Sequence, residues 1–217
     1  KLIAFTDDDC LPDKNWLNQI LQNYHDEKEI AYMGRVSFPV PKFPADFQLN
    51  SSMNGEAAFI TANCICSKEA LIRVGGFDER FKMAWREDKD LEFKLMAENI
   101  PIKKLKEAFV VHPIVKPSWG FSIREQKKRM FNALLYKKFP FFYRQTIHEN
   151  TPYYYYLMIF LFFGMMYGAI SANSGLLIIT LLNYMALFLW VSIKRLKATS
   201  RKIADITEVL ITSLVIP

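Results

Sequence analysis

Apolar residues change their spacing several times along this chain, and each change predicts an element. Leu2 to Thr6 is a short apolar run that leads into Asp7-Asp8-Asp9, the pattern of a buried strand with three acids at its carboxyl end. Beyond Pro12, the residues Trp16, Leu17, Ile20, Leu21 and Tyr24 recur at helical spacing and predict one apolar face, with Asp13 placed as the cap. A strand is expected near Ile30 to Phe38 and another over Phe59 to Ile65. Between them, Val40 to Gly55 is punctuated by Pro41, Pro44 and Gly55 and reads as a surface loop of the kind that carries binding contacts. Ser67 then caps a helix that stops at Gly75-Gly76. A further helix starts at Glu87 or Asp88, sets Leu91, Leu95 and Met96 on one face, and ends at Asn99 before Ile100-Pro101. Ile102 to Leu105 and Ala108 to His112 complete the series as strands. Strands alternating with helices predict an α/β sheet. Sheets of that class bind ligands at the carboxyl ends of their strands.

From Tyr153 the alternation stops and the chain turns apolar. Tyr153 to Ile170 and Leu176 to Ile193 carry no charge, and each is close to the roughly 20 residues that cross a bilayer of about 30 Å. The polar turn Ser171 to Gly175 joins them into a hairpin. Two buried helices of a larger soluble core are the alternative. Lys194, Arg195, Lys197, Arg201 and Lys202 follow the second span, and the positive-inside rule places that end in the cytosol. A two-pass hairpin puts the preceding domain on the same side. Ile203 to Pro217 begins another apolar helix, and the first residues are an apolar run without an initiator Met or a signal pattern. The expectation is a polypeptide truncated at both ends.

Composition changes the picture in two places. The 51% hydrophobic and 23% charged content of the 217 residues averages a polar first part and an apolar second part. The net charge of +6 admits nucleic acid, a membrane surface or an anionic substrate as partner. Between Pro101 and Asn150, eleven Lys and Arg stand against three Glu and no Asp, immediately before the apolar region. That is a juxtamembrane pattern, and no recognition module for nucleic acid accompanies it. Phe121 to Tyr143, basic and aromatic, suits a helix lying at the bilayer interface. Cys10, Cys64 and Cys66 lack the spacing of a disulfide framework or a zinc site and read as reduced thiols in a reducing compartment.

Candidate chemistry lies in the acids. Three consecutive carboxylates repel one another, and a divalent cation or dense hydrogen bonding relieves such crowding. A Mg²⁺ or Mn²⁺ site at Asp7-Asp8-Asp9 is the direct inference, with a solvated acidic turn as the alternative. Glu87-Asp88-Lys89-Asp90 opens a helix, where the dipole and free amides favour ionised carboxylates. A carboxylate held ionised can act as a base, and capping alone also explains acids there. His112 is a packed or surface histidine unless other ligands accompany it.

Taken together, these residues resemble glycosyltransferase family 2, whose members have a GT-A fold. Phe5-Thr-Asp-Asp-Asp-Cys-Leu-Pro12, followed by Trp16-Leu17, looks like the family's DxD signature at a strand end. Thr61 to Leu71 and Val74 to Phe81 resemble the segments that precede the acidic helix, and Glu87-Asp-Lys-Asp-Leu91 matches its ED motif. The resemblance spans about Leu2 to Pro113. Gln126-Lys-Lys-Arg129 resembles part of the QxxRW motif of processive synthases, with Met130 where that motif has Trp.

The resemblance implies an α/β, GT-A-like mixed sheet, truncated at its amino terminus and followed by transmembrane helices. It implies Asp7, Asp9 and His112 as ligands of Mn²⁺ or Mg²⁺, with Asp8 near the ribose or sugar and Asp88 as the base of an inverting transfer. Asn63, Trp85, Glu87, Asp90 and Arg129 are expected at the substrate sites. The implied donor is a nucleotide-sugar, a UDP-sugar first of all, and the acceptor is lipid-linked or a glycan, with contacts from the 40–55 loop. The expected organisation is residues 1–115 as the carboxyl-terminal half of the GT-A domain, 116–150 as a basic interfacial segment, 151–193 as the membrane hairpin, and 194–217 as a cytosolic basic loop with the start of a third apolar helix. A bacterial plasma membrane fits this arrangement, with activity belonging to a longer parent. A non-catalytic, membrane-anchored carbohydrate- or partner-binding protein with the same fold is the alternative. A metal-dependent phosphotransferase or hydrolase would need a nucleophile motif or P-loop that these residues lack.

Overall fold

The acids do sit at a strand end. In the computed structural model, which describes residues 1–39, 42, 59–114, 120–147, 151–197, 199 and 202–216, β1 (Leu2–Phe5) runs directly into them. The described residues form two compact units, one within Lys1–Val40, Asn50–Lys116 and Lys128–Ile147, the other within Pro41–Leu49, Pro117–Lys127 and His148–Pro217. The loop expected over 40–55 lies outside the described residues, apart from Lys42.

The first unit is built on β1, β2 (Leu11–Pro12), β3 (Ala31–Ser37), β4 (Cys64–Ser67) and β5 (Ile102–Val111). Their order is β1-β4-β3-β5-β2, with β3 and β5 parallel and the other pairs antiparallel. The edges of a flat five-stranded sheet lie about 19 Å apart. Yet β1 and β2 occupy opposite edges and only Thr6 to Cys10 join them, with a turn in which the Cys10 amide donates to the Asp7 carbonyl at 3.1 Å. The sheet therefore curls, and the acids lie along the seam between its edges.

Helices cover both faces. Trp16 and Ile20 of α1 (Trp16–Asn23) pack against Ile30, Tyr32, Ile65 and Val110, while α2 (Lys68–Val74) and α3 (Glu87–Ala97) close the other face with Ala70, Leu91 and Leu95 over Ala31, Cys64 and Cys66. The Ser67 hydroxyl accepts from the Ala70 amide as the predicted cap of α2, and Gly75 closes it at φ 73°.

Several expectations change. Asp13 stands two residues before the cap position of α1, Asn15: its carboxylate accepts from the Asn15 amide, and the helix starts at Trp16. Leu17 and Leu21 are exposed, because this eight-residue helix docks along one edge only. The strand expected over Phe59 to Ile65 begins later, after a 3-10 turn at Thr61–Asn63. The two strands expected over 102–112 are one, β5, with an irregularity opposite Gly34 and Arg35. The apolar positions of α3 extend to a second side, where Phe93 meets Phe81, Phe131 and Leu135.

The basic stretch Phe121 to Tyr143 is not one helix. It forms α4 (Phe121–Glu125), a 3-10 turn at Gln126–Arg129, α5 (Met130–Lys138) and α6 (Pro140–Thr146), with Pro140 at the start of α6. Residues 128–147 belong to the first unit, where Phe131 and Leu135 enter its core.

The second unit contains α7 (Tyr153–Ile170), α8 (Ser174–Leu196) and α9 (Ile203–Val215). Helices α7 and α8 are long and apolar enough to cross a membrane, and only 11% and 22% of their most apolar windows is buried, unlike the core helices of a soluble domain. A methyl at Gly168 would lie 2.9 Å from the Leu177 amide nitrogen, and one at Gly164 would lie 2.9 Å from Thr180, so this Gly-x3-Gly pair sets the close approach of the two helices.

Candidate active site

Two groups of acids reach the same end of the sheet. Asp7, Asp8 and Asp9 occupy the seam after β1. Because Leu11 pairs with Val111, the residue after β5, His112, arrives beside the same turn. Its Nε2 lies 3.4 Å from Asp7 Oδ2 and 3.9 Å from Asp9 Oδ1. Nδ1 lies 3.1 Å from the Pro113 carbonyl oxygen, which can only accept, so this contact puts a proton on Nδ1 and turns Nε2 toward the acids. Phe38 packs on the imidazole with ring centroids 5.1 Å apart.

Asp7, Asp9, Cys10 and His112 offer ligand atoms within 4.8 Å of one another. Two carboxylate oxygens and an imidazole nitrogen fit Mn²⁺ or Mg²⁺ by donor type. Burial raises the Asp7 carboxyl; His112 opposes this, and Asp9 and Asp8 add to it by repulsion that a cation would relieve. Cys10 is the member that sequence reasoning did not assign to the cluster, although its adjacency to the acids was a signal. Burial raises its thiol, which favours the protonated form over a thiolate ligand.

The second group opens α3. Burial lifts the Asp88 carboxyl to about 6, with the charge of Glu87 adding to the effect; the Lys89 amide, 2.6 Å from Oδ1, opposes it, as do the charges of Lys89 and Arg86. Glu87 is also raised by burial, and its Oε2 is enclosed without a hydrogen-bond partner among the described residues. Asp7 acts electrostatically on Glu87, and both Asp88 and Asp7 act on the buried thiol of Cys64, which pairs with Phe5 at the end of β1 that leads to the acids. A carboxyl titrating near 6 is mostly ionised at neutral pH and is a stronger base than a surface aspartate.

Other predicted residues are placed differently. Asn63 is fully buried, accepting from Trp16 Nε1 at 2.9 Å and donating to the carbonyls of Arg35 at 3.0 Å and Ala108 at 2.8 Å. Those carbonyls flank the irregularity between β3 and β5, and Gly34 leaves the room, since a Cβ there would collide with the Asn63 side chain. Asp90 is fully buried, ion-paired to Lys138 and to Lys94. The Asn63 side chain is thus engaged with the Trp16 indole and two backbone carbonyls, and the Asp90 carboxylate with two lysines. Trp85 is half-buried and donates to Asn132, while Asp8 and Arg129 are exposed.

Residues 2–193 match the sequence model of the glycosyl transferase family group 2. The chain belongs to this family. No curated protein matches it. For a glycosyl transferase of this group, the curled mixed sheet and the two long apolar helices after it make an α/β, GT-A-like domain followed by transmembrane helices. Membership implies a nucleotide-sugar donor and an acceptor, and it gives the acid cluster at the strand end a chemistry to serve.

Proposed function

We propose that the protein is an inverting, metal-dependent glycosyltransferase that moves a sugar from a nucleotide-diphosphate donor, a UDP-sugar in the first place, to a lipid-linked or polysaccharide acceptor at the cytosolic membrane face. What supports this reading is the Asp7, Asp9 and His112 cluster together with the half-buried Asp88, which like Asp7 acts electrostatically on the Cys64 thiol. Asp7, Asp9 and His112 would hold Mn²⁺ or Mg²⁺, which when bound offsets negative charge on the departing diphosphate. Asp8, exposed beside them, is free to meet the donor ribose or sugar. Asp88 accepts the proton of the acceptor hydroxyl as its oxygen attacks the anomeric carbon from the face opposite the leaving group, so the configuration inverts. Positioned bases of this kind contribute roughly 10²- to 10⁴-fold.

The membrane face follows from charge. Lys194 and Arg195 in the last turn of α8, with Lys197, Arg201 and Lys202 after it, favour the cytosol, and a two-pass hairpin returns the catalytic unit to that side, as in a bacterial plasma membrane. Membranes carrying the protein, supplied with a panel of nucleotide sugars and with EDTA, Mg²⁺ or Mn²⁺, test the proposal. Metal-dependent release of UDP, with a product of inverted anomeric configuration by NMR, is expected. Turnover unaffected by EDTA, or retention of configuration, contradicts it.

A further inference from the structure

Asp88 lies two residues beyond a strained turn. Arg86, the residue before α3, adopts φ 73°, a left-handed conformation that costs a non-glycine residue free energy, and no side-chain capping bond holds it there. What does hold it comes from α5. The Asn132 side-chain oxygen accepts from Arg86 Nε at 2.8 Å and from Trp85 Nε1 at 3.1 Å, while the Arg86 guanidinium stacks over the Trp85 ring at 4.8 Å. The same helix reaches α3 again at Lys138, which pairs with Asp90 and, at 2.5 Å, with Asp78. Phe131, next to Asn132, and Leu135, between the two contacts, pack against Phe81 and Phe93. Asp88 is thus bracketed, with α5 gripping the chain two residues before it and two residues after it.

We propose that Asn132 is a positioning residue for the transfer: by fixing the Trp85-Arg86 turn it aims the Asp88 carboxylate at the acceptor hydroxyl. This rests on the reading of Asp88 as the base. The Asn132 oxygen is the operative atom, because one acceptor serves two donors from adjacent residues and so fixes both the backbone turn and the orientation of the guanidinium. Misplacing a base by about 1 Å costs on the order of 10²-fold in turnover. Donor affinity, which depends on Asp7, Asp9 and His112, does not pass through this contact.

Steady-state UDP release from the UDP-sugar that the donor panel identifies, in membranes, separates the possibilities. Asn132→Leu keeps the side-chain size and removes the acceptor; the expected result is a kcat lower by roughly 10- to 100-fold with a donor KM within about twofold. Asn132→Asp, which keeps the oxygen, is expected to restore most of the turnover. Arg86→Gly tolerates the left-handed turn but loses the anchor, so adding Asn132→Leu to it should lower kcat by much less than Asn132→Leu does alone. A kcat within twofold of wild type in Asn132→Leu, alongside an inactive Asp88→Asn, overturns the inference, as does failure of Asn132→Asp to rescue. Turnover that survives in Asp88→Asn overturns the reading of the base itself.

Discussion

Asn63 and Asp88 show how differently single residues expose their roles in sequence. Consecutive acids after an apolar run, or acids at a helix start, are local patterns, so Asp7, Asp9 and Asp88 are legible in one dimension. Asn63 looked equally suited to a substrate site, but its partners are Trp16, Arg35 and Ala108, up to 47 residues away. No local pattern announces a carboxamide that satisfies carbonyls released by a strand irregularity. Its role leads to a stability prediction. Asn63→Ala leaves the buried Ala108 carbonyl, the part-buried Arg35 carbonyl and the Trp16 indole without this partner, and truncating such a group costs about 1–3 kcal/mol for each buried one left unsatisfied. Denaturant unfolding of the detergent-solubilised protein should show a loss of at least about 2 kcal/mol. A loss below about 0.5 kcal/mol would mean that the carboxamide is not needed there.

At the scale of elements, the helices and strands of the first unit follow their sequence signals closely where one face is apolar. They depart where a tertiary partner overrides the pattern. The basic, aromatic stretch Phe121 to Tyr143 reads as one helix lying at the bilayer interface. Lys138 is instead mostly enclosed, its charge matched by Asp78 and Asp90 from distant parts of the chain. The Asp78 carboxyl is held well below the ordinary range, chiefly by hydrogen bonds from Arg80, with Lys138 contributing. Removing one partner of a buried pair strands the other. Lys138→Met should destabilise the protein by about 2–3 kcal/mol, softened by the Lys94 contact to Asp90 at 3.2 Å, and a second change, Asp90→Asn, should recover most of the loss. Thermal melts of the single and double variants decide this; an unchanged melt in Lys138→Met would mean that the pair carries no net stability.

For the whole molecule, the two long apolar helices were legible, because composition shifts at Tyr153 and stays shifted. The curl of the sheet was not, since it follows from β1 and β2 taking opposite edges across a short link. Topology across the membrane has a direct assay, made simpler because Cys10, Cys64 and Cys66 are all buried. In intact cells, an impermeant thiol reagent should label Ser171→Cys in the hairpin turn and should reach Lys197→Cys only after permeabilisation. The reverse pattern would place the catalytic unit outside. The central claim is that Asp88 is the base, and the pH dependence of turnover tests it most directly. Because burial raises this carboxyl to about 6, its ionised form accumulates as pH rises through that value. With a base that must be ionised, kcat should climb about tenfold per pH unit below 6 and level off above it. Asp88→Asn should lie roughly 10²- to 10⁴-fold lower and lack the acidic limb. Wild-type turnover in Asp88→Asn, or the same acidic limb in both proteins, would contradict the account.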